Sequence, residues 1–424
     1  MKIGFFVWWF PVLSEAFILN QITGLIDRGH DVYIHALKGH PKGATKVHPV
    51  VEQYNLLART YYTPERPENP LLCVLKGLGL VLANLHKNSL SCLQLLDAEK
   101  YGKTAEPWKR IYRVYRAISL LDTQPYDVIH CQFGTIGPAA SMLRQTGFIQ
   151  GKLVTIFRGI DISHYVQKHG EDVYDELFAQ GDFFLANCEF FRRRAIKLGC
   201  DPEKIVVHGS GIDCQKFAFQ PRQPSTDGLV RIATTGRLVE KKGIEYAIRA
   251  VAQVAQDYSN IEFCIIGDGP LKASLQNLID ELEVTAIVKF LGWKNQQEII
   301  NILDTCHLFL APSVTAADGN QDAPVNTLKE AMAMGLPVIS TYHGGIPELV
   351  EDGVSGFLTP ERDAEAIADK LRYLIEHPEV WPQMGQAGRA RVEERYDMNK
   401  LNDELVELYQ QLLNSERQPS TPSK

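Results

Sequence analysis

Apolar residues arrive along this chain in short blocks separated by amphipathic stretches. Residues 3–9 (IGFFVWW) form one block, 17–28 carry apolar side chains three and four apart and end at Gly29, and 32–37 form a second block. Short blocks without polar alternation are what strands buried on both faces look like, and a stretch of helical period between two of them gives a β-α-β unit. The same rhythm predicts strands at 128–131, 152–157 and 183–186. It lapses over 216–228 (KFAFQPRQPSTDG), where Pro, Ser, Gln and Gly collect without periodicity, as in a linker. It then restarts, with strands expected at 230–234, 261–266, 287–291, 308–311, 337–340 and 356–358. A helix is expected over 244–255, with Ile244, Ala247, Ile248, Val251 and Val254 on one face.

This pattern predicts an α/β protein of two doubly wound, Rossmann-like domains. The expected units are a first domain over 1–215, a linker over 216–229 and a second domain over 230–395. A helix over 396–413 is expected to pack back on the first domain, followed by a disordered polar tail over 414–424. Doubly wound sheets bind ligands beyond the carboxyl ends of their strands, so two such sheets facing each other create a cleft.

Composition narrows the field. The 424 residues are 45% hydrophobic and 22% charged, enough for sizeable cores and incompatible with wholesale disorder or collagen. The longest apolar stretch, 71–85, is interrupted by Lys76 and is shorter than the roughly 18 to 20 residues a spanning helix needs. Lys2 leads directly into the first apolar block, with two Trp and no small-residue cleavage site, which reads as a strand rather than a signal peptide. A cytoplasmic protein is expected. The eight Cys show no Cys-x-x-Cys pair and no His at zinc spacing, so reduced, buried thiols are expected and no metal site. The formal charge of −7 is unevenly shared. Residues 1–228 hold 26 basic and 22 acidic residues, a net of +4, leaving 18 and 29 for the remainder.

Three stretches of the second half carry chemistry. Gly236-Arg237-Leu238-Val239-Glu240-Lys241-Lys242-Gly243 lies between the restarted strand and its helix. Arg237 at the strand end, Lys242 at the helix start and free helix N–H groups suit a diphosphate, although a basic loop is also an ordinary solvated turn. Gly267-Asp268-Gly269-Pro270 ends the next strand. It lacks the third glycine and the following acidic residue of a dinucleotide fingerprint, which argues against a dehydrogenase. Asp322 and Glu330 stand eight residues apart, one in a polar loop and one on a helix starting near Pro324. Ionised carboxylates pair with the vicinal hydroxyls of a ribose or hexose.

Together, Gly236-Arg237 with Lys242, the turn at Gly267 and Gly269, and Asp322 with Glu330-Ala331-Met332-Ala333 resemble the retaining GT-B glycosyltransferases of family four. The likeness runs from 230 to about 360, through Gly344-Gly345 and Pro347-Glu348-Leu349-Val350. It implies a GT-B fold with an interdomain cleft, donor diphosphate on Arg237 and Lys242, and ribose hydroxyls on Glu330. It also implies sugar hydroxyls on Asp322, where the family usually has Glu. It further implies a UDP- or GDP-linked sugar as donor, with no cofactor and no metal.

In the first half, Phe10-Pro11-Val12-Leu13-Ser14-Glu15-Ala16-Phe17 follows the first strand. Ser14 suits a helix N-cap, and the stretch is similar to the Ser-Glu-Thr-Phe loop of the colanic acid (exopolysaccharide) branch, which faces the cleft. Ser14, Glu15 and His130 are therefore acceptor-side candidates, while His130 also fits a packed, hydrogen-bonded position. Arg158 stands where many relatives carry His. It stays protonated, so its role there is that of a cation near phosphate or an acidic acceptor, with Asp161 orienting it. The resemblance implies catalysis by Arg237, Lys242, Arg158 and Asp161 with no enzyme nucleophile, the departing diphosphate accepting the acceptor's proton.

Residues 100–116 interleave six cations with Tyr101, Trp108, Tyr112 and Tyr115. Beside the apolar 71–85 this suits docking on a membrane surface, and equally an aromatic face packed inward; nucleic acid is not an expected partner. The expected partners are a nucleotide sugar and a saccharide or lipid-diphosphate-linked acceptor, at the inner face of a membrane. A sugar-nucleotide epimerase and a non-catalytic saccharide-binding subunit are the rival readings.

Overall fold

The structure is a computed structural model and describes residues 1–12, 15–38, 48–65, 67–84, 115–118, 120 and 125–414. Its first sheet contains β1 (Lys2–Val7), β2 (Asp31–Ala36), β3 (Thr60–Tyr62), β4 (Val128–Cys131), β5 (Lys152–Phe157), β6 (Phe183–Ala186) and β7 (Ile205–Val207). Their order is β3-β2-β1-β4-β5-β6-β7. The second sheet contains β8 (Val230–Thr235), β9 (Ile261–Ile266), β10 (Val288–Gly292), β11 (Leu308–Ala311), β12 (Val338–Thr341) and β13 (Phe357–Thr359), in the order β10-β9-β8-β11-β12-β13. Neighbouring strands are parallel in both. The winding reverses between β1 and β4, and again between β8 and β11, and these reversals open the crevices where such sheets bind ligands.

Both faces of each sheet are covered. Ile3, Phe5 and Val7 point into one core and Phe6 into the other, which is why the block does not alternate. Differences from the sequence reading are local. β1 stops at Val7, so Trp8 and Trp9 lie beyond it. The three-residue edge strands β3 and β7 are too short and too mixed for a periodic signal. The segment read as a linker is packed on the second domain. Phe217 is buried there, and the Arg222 guanidinium donates to the carbonyls of Asp304 at 2.7 Å and Met334 at 2.9 Å. Its composition signals the lack of regular structure, not of contacts. Seven described cysteines are free and buried; Cys92 and nearly all of 100–116 lie outside the described residues, as do Ser14 and residues 415–424.

The chain passes from the first domain to the second near Ile212 and returns at Asp397. The two passages run side by side: Ile212 N–H donates to Tyr396 O at 2.9 Å, and Met398 N–H donates to Ile212 O at 3.0 Å. The helix Met398–Asn414 then lies on the first domain, with Leu405 and Tyr409 in the core that holds Ile3 and Phe5. Two buried histidines fix it. His130 Nδ1 shares a 2.5 Å hydrogen bond with the Tyr409 hydroxyl, and His208 Nε2 donates to Leu401 O at 2.9 Å.

Burial pushes the His208 pKa down to about 4 and that of His130 well below its ordinary value. The unfolded chain therefore binds more protons below pH ~6.5, and stability supplied by neutral His208 is lost as pH falls from about 6.5 toward 4. Glu15 and Glu330, whose carboxyls burial raises to about 7, act in the opposite sense. The test is thus a difference between proteins. Urea unfolding of His208→Gln should show a pH slope shallower than that of the wild type by about 1.4 kcal/mol per pH unit between pH 6 and 5.

Candidate active site

The second sheet's loops are zipped together at their carboxyl ends. Gly236 N–H donates to Ile266 O at 3.0 Å, and Leu238 N–H donates to Asp268 O at 3.0 Å. Gly267 has φ +145°, and a β-carbon there would sit 1.9 Å from Gly236 O. Only glycine allows so close an approach, so Gly267 builds the platform on which the basic loop rests. Gly269 makes a similar approach to the Leu238 backbone. The basic loop continues through a turn, Glu240–Lys242, into the helix Ile244–Val254. The Arg237 side chain is exposed and makes no hydrogen bond or ion pair among the described residues. It is a guanidinium with its donors uncommitted.

Lys242 is committed. Its ammonium lies 2.8 Å from Asp322 Oδ2, and the Lys241 ammonium lies 2.8 Å from Oδ1. Ser313 Oγ adds a hydrogen bond to Oδ2 at 3.2 Å. Burial raises the Asp322 carboxyl, but the Lys242 and Lys241 charges more than offset it and hold it well below the usual range. Burial lowers Lys242, which Asp322 opposes while Lys241 and Arg237 push further down. The Asp322 backbone is also fixed: its N–H donates to His343 Nε2 at 2.9 Å, which leaves Nδ1 to donate to Glu361 at 2.7 Å. Sequence reasoning passed over Lys241, although the lysine doublet was visible.

Glu330 differs from Asp322. It lies on the helix Asn326–Ala333, half-buried, with no side-chain partner among the described residues. Burial pushes its pKa up to about 7, only partly offset by Lys329. A carboxylate left without donors in a semi-enclosed place is one that a hydroxyl-bearing ligand can satisfy.

Across the cleft, Arg158 is buried at the end of β5. Its guanidinium donates to Gln132 O at 3.2 Å, Gln132 Oε1 at 2.6 Å, Gln21 Oε1 at 3.1 Å and Ser210 Oγ at 3.0 Å, and it lies 4.4 Å from the Phe17 ring centre. Burial lowers its pKa to about 10, a value at which it stays charged at neutral pH. Asp161 accepts from the N–H groups of Gly134 at 2.7 Å, Gly159 at 2.8 Å and Arg158 at 3.0 Å. It therefore shapes the loop backbone and touches Arg158 through its amide, not its guanidinium. Glu15 stands just before the helix Ala16–Asp27 and makes no side-chain cap there. Burial raises its pKa to about 7, which the Arg158 charge opposes. His130 is fully buried against Phe5 and Tyr409, in the packed position that was its other reading.

The two domains touch directly. Lys329, buried and missed in the sequence because it follows an apolar Leu inside an alanine-rich helix, donates to Ser210 O at 2.7 Å. Glu348 accepts from the N–H groups of Glu189 and Phe190, each at 2.8 Å, at the start of the helix Glu189–Lys197. Gln321 accepts from Arg194 at 2.9 Å. Gln321 N–H also donates to Ser163 Oγ at 3.3 Å, which holds the loop bearing Asp322 against the turn that follows Arg158.

Comparison with known proteins agrees with this arrangement. The family described as Glycosyltransferase Family 4 matches residues 14–216, and Glycosyl transferases group 1 matches 216–391. The protein named for colanic acid biosynthesis, glycosyltransferase WcaL of Escherichia coli (strain K12), is 38% identical over 419 residues, covering 97% of this chain and all of its own. The amylovoran biosynthesis glycosyltransferase AmsK of Erwinia amylovora is 37% identical over 417 residues with the same coverage. Among solved structures, Anabaena Alr3699/HepE in complex with UDP and glucose superposes with a TM-score of 0.70 at 19% identity, over 97% of this chain and 100% of that one. Two facing parallel sheets, a cationic loop at the second sheet's winding reversal and full-length relatives at this identity place the chain in the group 1, family 4 glycosyltransferases of GT-B fold.

Proposed function

We propose that this transferase moves a hexose, with retention of configuration, from a UDP- or GDP-linked sugar to a saccharide or lipid-diphosphate-linked acceptor in exopolysaccharide assembly. The named roles of the full-length relatives support the pathway class, and the UDP and glucose held by the Anabaena protein support the donor class. The epimerase and non-catalytic readings find no support among the relatives. One observation carries the site: Arg237, uncommitted among the described residues, and the Lys241–Lys242 pair stand on the loop after β8, while Glu330 on the helix Asn326–Ala333 has no side-chain partner among the described residues.

In this reading Arg237 and Lys242 hold the donor diphosphate and Glu330 accepts hydrogen bonds from the ribose hydroxyls. Gly267 and Gly269 keep the loop floor low enough for the nucleotide. Asp322 already receives three hydrogen bonds, so of about four acceptor positions on a carboxylate one remains for a hydroxyl of the transferred sugar. The acceptor oxygen attacks C1, the C1–O bond to the diphosphate breaks, and the leaving diphosphate takes the acceptor's proton. Arg237 and Lys242 stabilise the charge that accumulates on the leaving group, the kind of term that is commonly the largest in catalysis. Those two cations supply the positive charge that a metal ion supplies elsewhere. Arg158 and Glu15 serve the acceptor side, with Asp161 holding Arg158's backbone. No described helix is long and apolar enough to cross a membrane, and a lipid-linked acceptor would bring the enzyme to the inner membrane surface as a peripheral protein.

Lys242→Ala should lower kcat by about 10²- to 10³-fold, the range for losing one group that stabilises developing charge, measured as nucleoside diphosphate release. Glu330→Gln should act on donor KM by about 10- to 100-fold. Because only ionised Glu330 accepts two hydroxyl donors and its pKa lies near 7, wild-type donor KM should fall as pH rises from 6 to 8, while the Gln variant stays flat. Unchanged turnover in both variants would remove the site assignment. Treatment with EDTA should leave turnover intact, and a loss restored by added divalent cation would overturn the metal-free mechanism.

A further inference from the structure

We propose that His343 and Glu361 are positioning residues for the transferred sugar: Glu361 fixes the tautomer of the buried His343 ring, and the ring holds the Asp322 backbone so that its carboxylate meets a sugar hydroxyl in one orientation. Both act through Asp322, so their assignment rests on the contact given to Asp322 in the function proposed above. The topology brings the three together. β12 lies between β11 and β13, and Asp322, His343 and Glu361 stand on the segments that follow β11, β12 and β13 in turn. His343 is fully buried, with both ring nitrogens committed. Asp322 N–H donates to Nε2 at 2.9 Å. An amide N–H can only donate, so Nε2 presents its lone pair and the ring proton sits on Nδ1. That proton goes to Glu361 Oε1 at 2.7 Å. An ionised carboxylate can only accept, so Glu361 enforces the tautomer that Asp322 requires.

Glu361 is itself held. Thr315 N–H donates to Oε2 at 2.7 Å and the Thr315 hydroxyl to Oε1 at 3.1 Å. Burial raises the Glu361 carboxyl, but the Thr315 N–H and His343 more than offset this and keep it below its ordinary range. The segment after β12 also grips the other backbone group of Asp322. Gly345 N–H donates to Asp322 O at 3.2 Å. Gly344 has φ +51°, and a β-carbon there would lie 2.1 Å from the same oxygen, so only glycine lets the two segments meet. With its N–H and its carbonyl both taken from behind, Asp322 has its side chain committed to Lys241, Lys242 and Ser313. The lysines have backbone anchors of their own: Lys241 O accepts from Val314 N–H at 2.9 Å, and Lys242 N–H donates to Val239 O at 3.0 Å. The imidazole therefore governs the carboxylate and not the diphosphate loop. Packing alone asks for a ring of this size, not for a lone pair aimed at one amide, and substitutions can separate the two.

The test reads kcat as nucleoside diphosphate release from UDP-glucose, UDP-galactose and GDP-mannose, and reads affinity for UDP and GDP alone by titration. His343→Phe should lower kcat by about 10²-fold, the cost of displacing a substrate-positioning group by about 1 Å, with affinity for the free diphosphate changed less than about threefold. His343→Gln, whose amide oxygen can accept from Asp322 N–H, should return kcat to within about threefold of wild type. Glu361→Gln keeps the ring but can also donate to it, so kcat should fall about tenfold and the imidazole ¹⁵N spectrum should lose its pure Nδ1–H signature. Asp322→Ala is the reference, and adding His343→Phe to it should cost nothing further, because both changes remove one contact. Additive losses would overturn the proposal, as would equal losses in the Phe and Gln variants or an affinity for UDP and GDP that falls with kcat. If His343→Phe does not fold, Glu361→Gln decides: an altered tautomer with wild-type kcat would overturn the proposal. Wild-type turnover in Asp322→Ala would instead overturn the sugar contact on which the proposal rests, while an impaired Asp322→Ala beside an unimpaired His343→Phe would leave that contact standing and remove the positioning role alone.

Discussion

A buried ammonium sets the two halves of this enzyme in register. Lys329 leaves the helix Asn326–Ala333 and donates to the carbonyl of Ser210 in the first domain, with Asn326 at 3.1 Å and the Tyr396 ring beneath it. Burial lowers its pKa to about 7, so part of the cost of placing it there is met by accepting a weaker base. The same Ser210 accepts a hydrogen bond from Arg158 through its hydroxyl. One residue therefore receives a cation from each side, and the helix that bears Glu330 is set in register with the loop that bears Arg158. A buried polar link of this kind is specific because leaving either partner unsatisfied is expensive.

The two acidic residues of the donor domain show how environment separates identical chemistry. Asp322 is surrounded by Lys241, Lys242 and Ser313 and is held ionised, whereas Glu330 has no donor among the described residues and burial raises its pKa to about 7. Asp322 thus fixes the Lys242 ammonium in place. Arg237 has no such holder among the described residues. The second domain's basic loop thus presents one exposed guanidinium and one ammonium held by a carboxylate.

Much of this was legible in the sequence, for a physical reason. Strands buried on both faces must be apolar throughout, so β4, β5, β6, β9 and β11 stand at their predicted positions. The edge strands β3 and β7 carry no such requirement and left no pattern. Residue types whose chemistry is unusual in a loop, such as Arg237 and Asp322, could be singled out, but their partners could not. Nothing local to Lys241 says that it meets a carboxylate 81 positions later, and nothing in a helix sequence says that Lys329 faces another domain. His130 and Asp161 are further cases. His130 lies in β4 and Asp161 in the turn after β5, and the scaffold partners of His130 Nδ1 and of the Asp161 carboxylate could not be read from residue type.

The paired passages at Ile212 and Asp397 have a mechanical outcome. Backbone hydrogen bonds tie the outgoing segment to the returning one, so the covalent links between the halves form one narrow double-stranded seam. Any swing of the lobes would turn on that seam, and it would first have to break the hydrogen bonds that Glu348 accepts from Glu189 and Phe190 and that Gln321 accepts from Arg194.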